Sequence, residues 1–135
     1  MELRDDHYCF VCGTRNKSGL HLEFRLNNDE DMMSTEFTPQ KRHQGFKDIV
    51  HGGLIGLILD EIMVNLAWKK GYPAVSAEFT VRLRKMARIG EKISFKSWIE
   101  REQKKMVYTC SEARNVTGDV IATAVAKCYK LGKVK

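Results

Sequence analysis

The sequence contains 135 residues, of which 43% are hydrophobic and 30% are charged, a composition typical of a single soluble globular domain. Its longest apolar run is interrupted by Asp60, Glu61 and Asn65, which excludes a membrane-spanning segment, and its first residues lack a secretory pattern, so we expect a cytoplasmic protein. The formal net charge of +6 favours an anionic partner, but the basic residues are scattered and lack interleaved aromatic residues, which argues against nucleic acid.

The first half of the chain predicts two strands and a long helix. Residues 1–19 carry turn signals and no periodic pattern, so we expect an irregular segment packed on the domain. Residues 20–26 alternate apolar and polar side chains, as a half-buried strand does, and a polar turn leads to a return strand at 32–37. A polar loop then precedes a helix over about 53–69, which stops before a Gly-Tyr-Pro sequence.

The second half of the chain predicts strands only. Alternating patterns indicate four strands, over 74–85, 92–101, 105–114 and 120–131. Two strands, one helix and four strands place the protein in the α+β class, with a curved antiparallel sheet wrapped around one long buried helix. We therefore predict a single domain over residues 20–135.

The helix carries the strongest functional signal, because it is apolar on nearly every face yet contains a carboxylate. A helix of this kind has to be surrounded by other elements, and burying an unpaired Asp60 is costly, so this residue is a functional candidate. The helix opens with His51-Gly52-Gly53, and its first amide N–H groups lack intrahelical acceptors and could stabilise an oxyanion. The alternative interpretation is a tight structural turn at the glycines and a structural carboxylate at Asp60.

Helical geometry separates the two neighbouring carboxylates. At about 100° per residue, Asp60 shares a stripe of small side chains with Gly53, Gly56 and Ala67, and such a face predicts contact with a second helix or subunit. Glu61 lies about 100° further around the helix. It is therefore expected to be solvated or salt-bridged.

Gly52 and Asp60 are too far apart to act on one carbonyl within a single chain. They are eight positions apart in the sequence, which corresponds to about 12 Å of helix. If both groups act on one substrate, two copies of the chain related by a twofold axis must share the site. We therefore expect a homo-oligomer.

The four cysteines predict free thiols rather than a disulfide framework. Cys9 and Cys12 have the spacing of half a zinc site, but the only other ligand candidates nearby are His7 and His21, and no second Cys-x-x-Cys follows. We therefore expect no metal site. The other two cysteines lie in predicted strands and are expected to be small core residues, Cys110 and Cys128.

The order of elements and two short motifs resemble a known family. The His-Gln-Gly of residues 43–45 and the His-Gly-Gly of residues 51–53, with Asp60 nine residues after the second histidine, resemble the hotdog-fold acyl-CoA thioesterases of the PaaI-like group. The similarity covers residues 9–131 and includes the Cys-Phe-Val-Cys-Gly segment near the N-terminus. It implies a hotdog fold, hydrolysis of an acyl-CoA without metal or organic cofactor, and a dimer or a dimer of dimers.

The resemblance also implies roles for individual residues. The Gly52 N–H would bind the thioester carbonyl, with Gly53 assisting from the same turn. Asp60, from the opposite subunit, would act as nucleophile or as general base for water, and Ser76 would help to place that water. His51 would orient the turn.

Two parts of the family pattern are matched less directly. Some relatives have an Asn or Gln six residues before the His-Gly-Gly histidine, where this chain has Gly45, so Gln44 is the candidate for polarising the carbonyl. The phosphates of CoA would meet surface cations, for which the candidates are Arg82, Arg84, Lys85 and Arg88. A solvated strand face is the alternative interpretation of these basic residues.

Two other functions fit the same fold. One is an acyl-CoA-binding sensor or regulatory module without turnover, which usually accompanies a DNA-binding domain for which this chain has no room. The other is a hydratase or dehydratase, whose relatives use a different motif at the start of the helix.

Overall fold

The structure, a computed structural model, describes residues 3–131. It contains one α-helix, one short 3-10 helix and six strands. Their bounds are β1 Arg25–Asn27, β2 Met32–Phe37, the 3-10 helix Lys41–His43, α1 Gly52–Lys69, β3 Ala74–Leu83, β4 Ile93–Glu102, β5 Met106–Arg114 and β6 Val120–Lys130.

The six strands form one antiparallel sheet in the order β1-β2-β4-β5-β6-β3. Helix α1 connects β2, near one edge, to β3, which is the strand at the other edge. The chain then returns through β4, β5 and β6 as a meander. One curved sheet with one helix against it confirms the predicted α+β hotdog architecture.

Helix α1 supplies the centre of the hydrophobic core. Its buried face packs against β2 to β6, and Ile58, Leu59 and Ile62 have no exposed surface. Two buried serines of the sheet bind the helix backbone: Ser97 Oγ donates to the carbonyl of Ile62 at 2.9 Å, and Ser111 Oγ donates to that of Leu59 at 3.3 Å. Among residues 3–131, no helix is both long and apolar enough to cross a membrane.

The bounds predicted for α1 and the last four strands differ from the observed ones by at most two residues, but the first strand was predicted too long. Only Arg25–Asn27 pairs with β2. The backbone before it binds the N-terminal segment instead, because the Leu20 and Leu22 N–H groups donate to the carbonyls of Phe10 and Val11 at 2.8 and 2.9 Å. Between them His21 has a φ of 54°, which interrupts extended backbone.

Candidate active site

The N-terminus of α1 is capped by His51. Its Nδ1 accepts a hydrogen bond of 3.0 Å from the Gly53 N–H, so the ring replaces one missing intrahelical acceptor. The Gly52 N–H has no acceptor within the described part of the chain. Of the two glycine amides, Gly52 is therefore the one available to a ligand.

The glycines of α1 permit close packing against β3. A Cβ atom at Gly52 would lie only 2.6 Å from Leu83 Cδ1, and one at Gly56 would lie 3.6 Å from Val81 Cγ2. Between this helix face and β3 lies an open groove of about 430 Å³. Its lining residues are Gly52, Gly53, Gly56, Leu57, Asp60, Phe79, Val81 and Leu83.

The groove contains three of the four residues of the predicted small-residue stripe. Gly53, Gly56 and Asp60 line it, whereas Ala67 is fully buried at the other end of the helix. The apolar wall of the groove, formed by Phe79, Val81 and Leu83, was not predicted from the sequence. The alternation of large apolar residues along β3 was the signal that could have located this wall.

Asp60 is half-buried and is hydrogen-bonded to Ser76. The Ser76 Oγ donates to Asp60 Oδ1 at 2.6 Å, and no cationic side chain forms an ion pair with Asp60 within residues 3–131. Strand β3 has a β-bulge between Ser76 and Glu78. Asp60 and Ser76, two of the predicted site residues, thus meet in space, and the carboxylate is not held in an ion pair within the described residues.

A buried thiol lies beneath the Asp60–Ser76 pair. Cys128 pairs with Ser76 across the β3–β6 ladder and is fully buried, as predicted for a small core residue. Burial, reinforced by the charge of Asp60, raises the pKa of Cys128 despite hydrogen bonds with Thr109 and Ser76. Cys128 is therefore a buried, neutral thiol and not a thiolate nucleophile.

The loop before α1 uses Gln44 for its own structure. Gln44 Oε1 accepts from the Asp48 N–H at 3.2 Å, and its backbone forms an isolated bridge with Val50. The side chain does not line the groove. The neighbouring His43 accepts from the Gln40 N–H through Nδ1, and burial and the charge of Arg42 lower its pKa.

The four predicted phosphate ligands lie outside the groove. Arg82, Arg84, Lys85 and Arg88 are all exposed, and none of them lines it. Because Val81 and Leu83 face α1, Arg82 projects from the opposite face of β3. Lys85 forms an ion pair of 3.3 Å with Asp119.

The expectation that Glu61 is solvated or salt-bridged was wrong. The side chain is half-buried, and its Oε1 accepts from the thiols of Cys9 at 3.1 Å and Cys12 at 3.7 Å and from Asn65 Nδ2 at 3.3 Å. Burial, with contributions from Cys9 and Glu61, raises the pKa of Cys12 to about 12. These two thiols and one carboxylate are the group of ligand atoms in residues 3–131 that is close enough together to hold a metal ion.

His51→Ala should destabilise the protein through loss of the helix cap. Removing the acceptor of the Gly53 N–H is expected to lower the free energy of unfolding by about 0.5–2 kcal/mol, whereas His51→Asn should recover most of it because Asn is a good N-cap residue. Urea denaturation of the three proteins tests this. Equal midpoints for wild type and His51→Ala would contradict the capping role.

The sequence matches the family model described as the thioesterase superfamily over residues 47–122. It is also similar to human acyl-coenzyme A thioesterase 13, with 28% identity over 90 residues, which are 64% of this chain and 64% of the human protein. The matched segment thus spans slightly less than two thirds of that curated relative.

Solved structures share the fold at low sequence identity. The E. coli PaaI protein from the phenylacetic acid degradation operon has a TM-score of 0.78 and 16% identity, covering 85% of this chain and 83% of that one. A hypothetical thioesterase from Streptococcus pneumoniae, solved with coenzyme A, has a TM-score of 0.78 and 12% identity, and the match covers 84% of this chain and 88% of the pneumococcal chain. Two solved variants of the pneumococcal protein replace an Asp and a Thr, sixteen residues apart, with Ala.

Proposed function

This chain belongs to the thioesterase superfamily, and we propose that it hydrolyses an acyl-CoA thioester to the free acid and CoA. The observation that carries this proposal is the hydrogen bond of 2.6 Å that Ser76 donates to Asp60, because Asp60 lines a groove that is also lined by Gly52 with its free amide. The similarity to human acyl-coenzyme A thioesterase 13 supports the substrate class, as does the coenzyme A bound to the pneumococcal relative.

Asp60 provides the reactive carboxylate in this mechanism. As a general base it would take a proton from water while the resulting hydroxide adds to the thioester carbonyl, and as a nucleophile it would attack that carbon itself. Both routes need a carboxylate that is not neutralised by a cation. Its partner Ser76 would position the carboxylate and the water. The two residues replaced in the pneumococcal variants, an Asp and a Thr, have the same sixteen-residue spacing in sequence as Asp60 and Ser76.

The Gly52 N–H would stabilise the negative charge that develops on the carbonyl oxygen. Collapse of the tetrahedral intermediate then expels CoA as a thiolate. On the general-base route the thiolate takes up the proton that Asp60 removed from water, and on the nucleophilic route water then hydrolyses the mixed anhydride left on Asp60, which releases the acid and supplies the proton. His51 keeps the Gly53 N–H engaged, so its role is to shape the turn. Gly53 would contribute mainly by having no side chain to obstruct the approach of a ligand.

The site would be completed by a second copy of the chain. Along one helix Gly52 and Asp60 are about 12 Å apart, further than one thioester carbonyl can reach. Strand β3 is an edge of the sheet and exposes Phe79 and Leu83 by 44% and 54%, so a twofold partner could cover this surface. In such a homodimer Asp60 of one protomer would face Gly52 of the other, with the acyl group against Leu57 and Phe79.

The phosphates of CoA would lie at the rim of the dimer. Arg82, Arg84 and Arg88 are exposed and form no ion pair within the described residues, so their guanidinium groups are available for bidentate phosphate contacts. Lys85 would have to exchange Asp119 for a phosphate. Gln44 would reach the substrate only if its hydrogen bond to the Asp48 N–H opens.

Asp60→Asn should remove most of the activity without unfolding the protein. Loss of the basic carboxylate is expected to lower kcat by about 10²- to 10⁴-fold. The test is to measure, by chromatography, the CoA that is released from each member of a panel of acyl-CoAs. Asp31→Asn is the matched control, since Asp31 is an exposed residue of the β1–β2 turn.

Activity that survives in both Asp60→Asn and Asp60→Ala would reject the proposed role of Asp60. A wild-type protein that is stabilised by acyl-CoA but releases no CoA would be a binding module instead. Interconversion of enoyl- and 3-hydroxyacyl-thioesters would identify a hydratase.

Ser76→Ala and Ser76→Thr should behave differently. Alanine removes the donor to Asp60 Oδ1, which is expected to lower kcat by about tenfold or more with little change in KM, because a hydrogen bond to a charged group contributes about 1.5–3 kcal/mol. Threonine retains the hydroxyl and should retain most of the activity. Equal loss in both variants would assign Ser76 a packing role only.

Two inactive variants should complement each other if the site is shared between protomers. Gly52→Pro removes the free N–H at the first helical position, where Pro is accepted, and the preceding residue already has extended backbone. Its Cβ would meet the end of the Leu83 side chain, which has to turn aside to make room. Gly52→Pro and Asp60→Asn should each be inactive, but an unfolded and refolded 1:1 mixture should recover about a quarter of the wild-type activity, because half of the dimers carry one intact site. A mixture that stays inactive would place Asp60 and Gly52 of the same chain in each site.

A further inference from the structure

A cluster of two thiols and one carboxylate lies apart from the groove. The ligand atoms of Cys9, Cys12 and Glu61 all lie within 4.8 Å of one another. Around a tetrahedral zinc ion, with Zn–S bonds of about 2.3 Å and Zn–O bonds of about 2.0 Å, a sulfur and an oxygen ligand are about 3.5 Å apart. The observed sulfur-to-oxygen distances of 3.1 and 3.7 Å lie on either side of that value.

The cysteine turn is held in place by its backbone. The Gly13 N–H donates to the Cys9 carbonyl at 2.8 Å, and a Cβ at Gly13 would lie 2.4 Å from the Cys9 nitrogen, so only glycine allows a turn this tight. Val11, between the two cysteines, is 1% exposed and its carbonyl accepts from the Leu22 N–H. The two sulfurs are therefore presented to Glu61 by a preformed turn.

The electrostatic environment of Glu61 favours a cation. The carboxylate is half-buried, yet within residues 3–131 it accepts hydrogen bonds only from the two thiols and Asn65 and forms no ion pair. Thiols are weak donors, and a partly buried carboxylate with weak donors is poorly compensated. A divalent ion would compensate the charge directly.

We propose that Cys9, Cys12 and Glu61 bind one Zn²⁺ ion per chain. Two sulfur ligands favour zinc over Mg²⁺ or Ca²⁺, which prefer oxygen ligands. Water would occupy the fourth tetrahedral position, and Asn65 would orient the carboxylate. The ion would fasten the N-terminal segment to α1 at the residue that follows Asp60, which departs from the expectation that the chain has no metal site.

Metal analysis of the full-length protein tests this proposal. Wild type purified under reducing conditions with zinc should contain about one Zn²⁺ per chain, and Co²⁺ substituted for zinc should give thiolate-to-cobalt charge-transfer absorption. Cys9→Ser and Cys12→Ser should lose the ion. Glu61→Gln should bind zinc at least about tenfold more weakly. Cys110→Ser, which alters a half-exposed thiol bonded to Glu100 elsewhere in the sheet, is the matched control and should retain full zinc content.

The wild-type protein also tests the proposal without any substitution. Removal of zinc by a chelator should lower its Tm, and equimolar Zn²⁺, but not Mg²⁺, should restore it. The proposal is overturned if the reduced wild type binds no stoichiometric zinc, if Glu61→Gln binds zinc as tightly as wild type, or if the Tm is unaffected by the chelator. A Cys9–Cys12 disulfide in place of the metal would also overturn it, in favour of a redox pair.

Discussion

A carboxylate in the middle of an apolar helix, with a hydroxyl as its hydrogen-bond donor, is the constraint on which this structure depends. Neutralising Asp60 with a cation would be the simpler way to stabilise a half-buried acid, but it would also remove the charge that the proposed mechanism requires. The hydrogen bond from Ser76 offsets part of the desolvation cost and leaves the negative charge in place. Because Ser76 belongs to β3, the position of this strand against α1 controls the environment of the acid.

The same contact between α1 and β3 creates the groove. Glycines at the start of the helix leave room for the side chains of Val81 and Leu83, so the helix and the edge strand approach closely without filling the space between them. A larger residue at Gly52 would push Leu83 aside or close the groove. The close packing of α1 against β3 and the proposed oxyanion site therefore both depend on the absence of side chains at these glycines.

The sequence predicts the parts of this structure that depend on local periodicity. Asp60 is conspicuous because it interrupts an apolar helix, and the strands after it follow their period-two patterns. Contacts between distant segments had no such signal: Glu61 meets cysteines about fifty residues earlier in the chain. The sequence also did not indicate that the Gln44 side chain accepts a hydrogen bond from the Asp48 N–H within its own loop.

The extra residue in β3 reverses the side-chain parity of the strand. A regular strand alternates its faces with a period of two, so Ser76 would share a face with Arg82 and lie opposite Leu83. The β-bulge between Ser76 and Glu78 shifts the alternation by one position, and both the hydroxyl and the apolar wall then face α1. Regular pairing of the same residues would instead turn either Ser76 or the apolar wall away from α1, so a single irregular step lets one edge strand carry both the hydrogen-bond donor to Asp60 and the apolar wall of the groove.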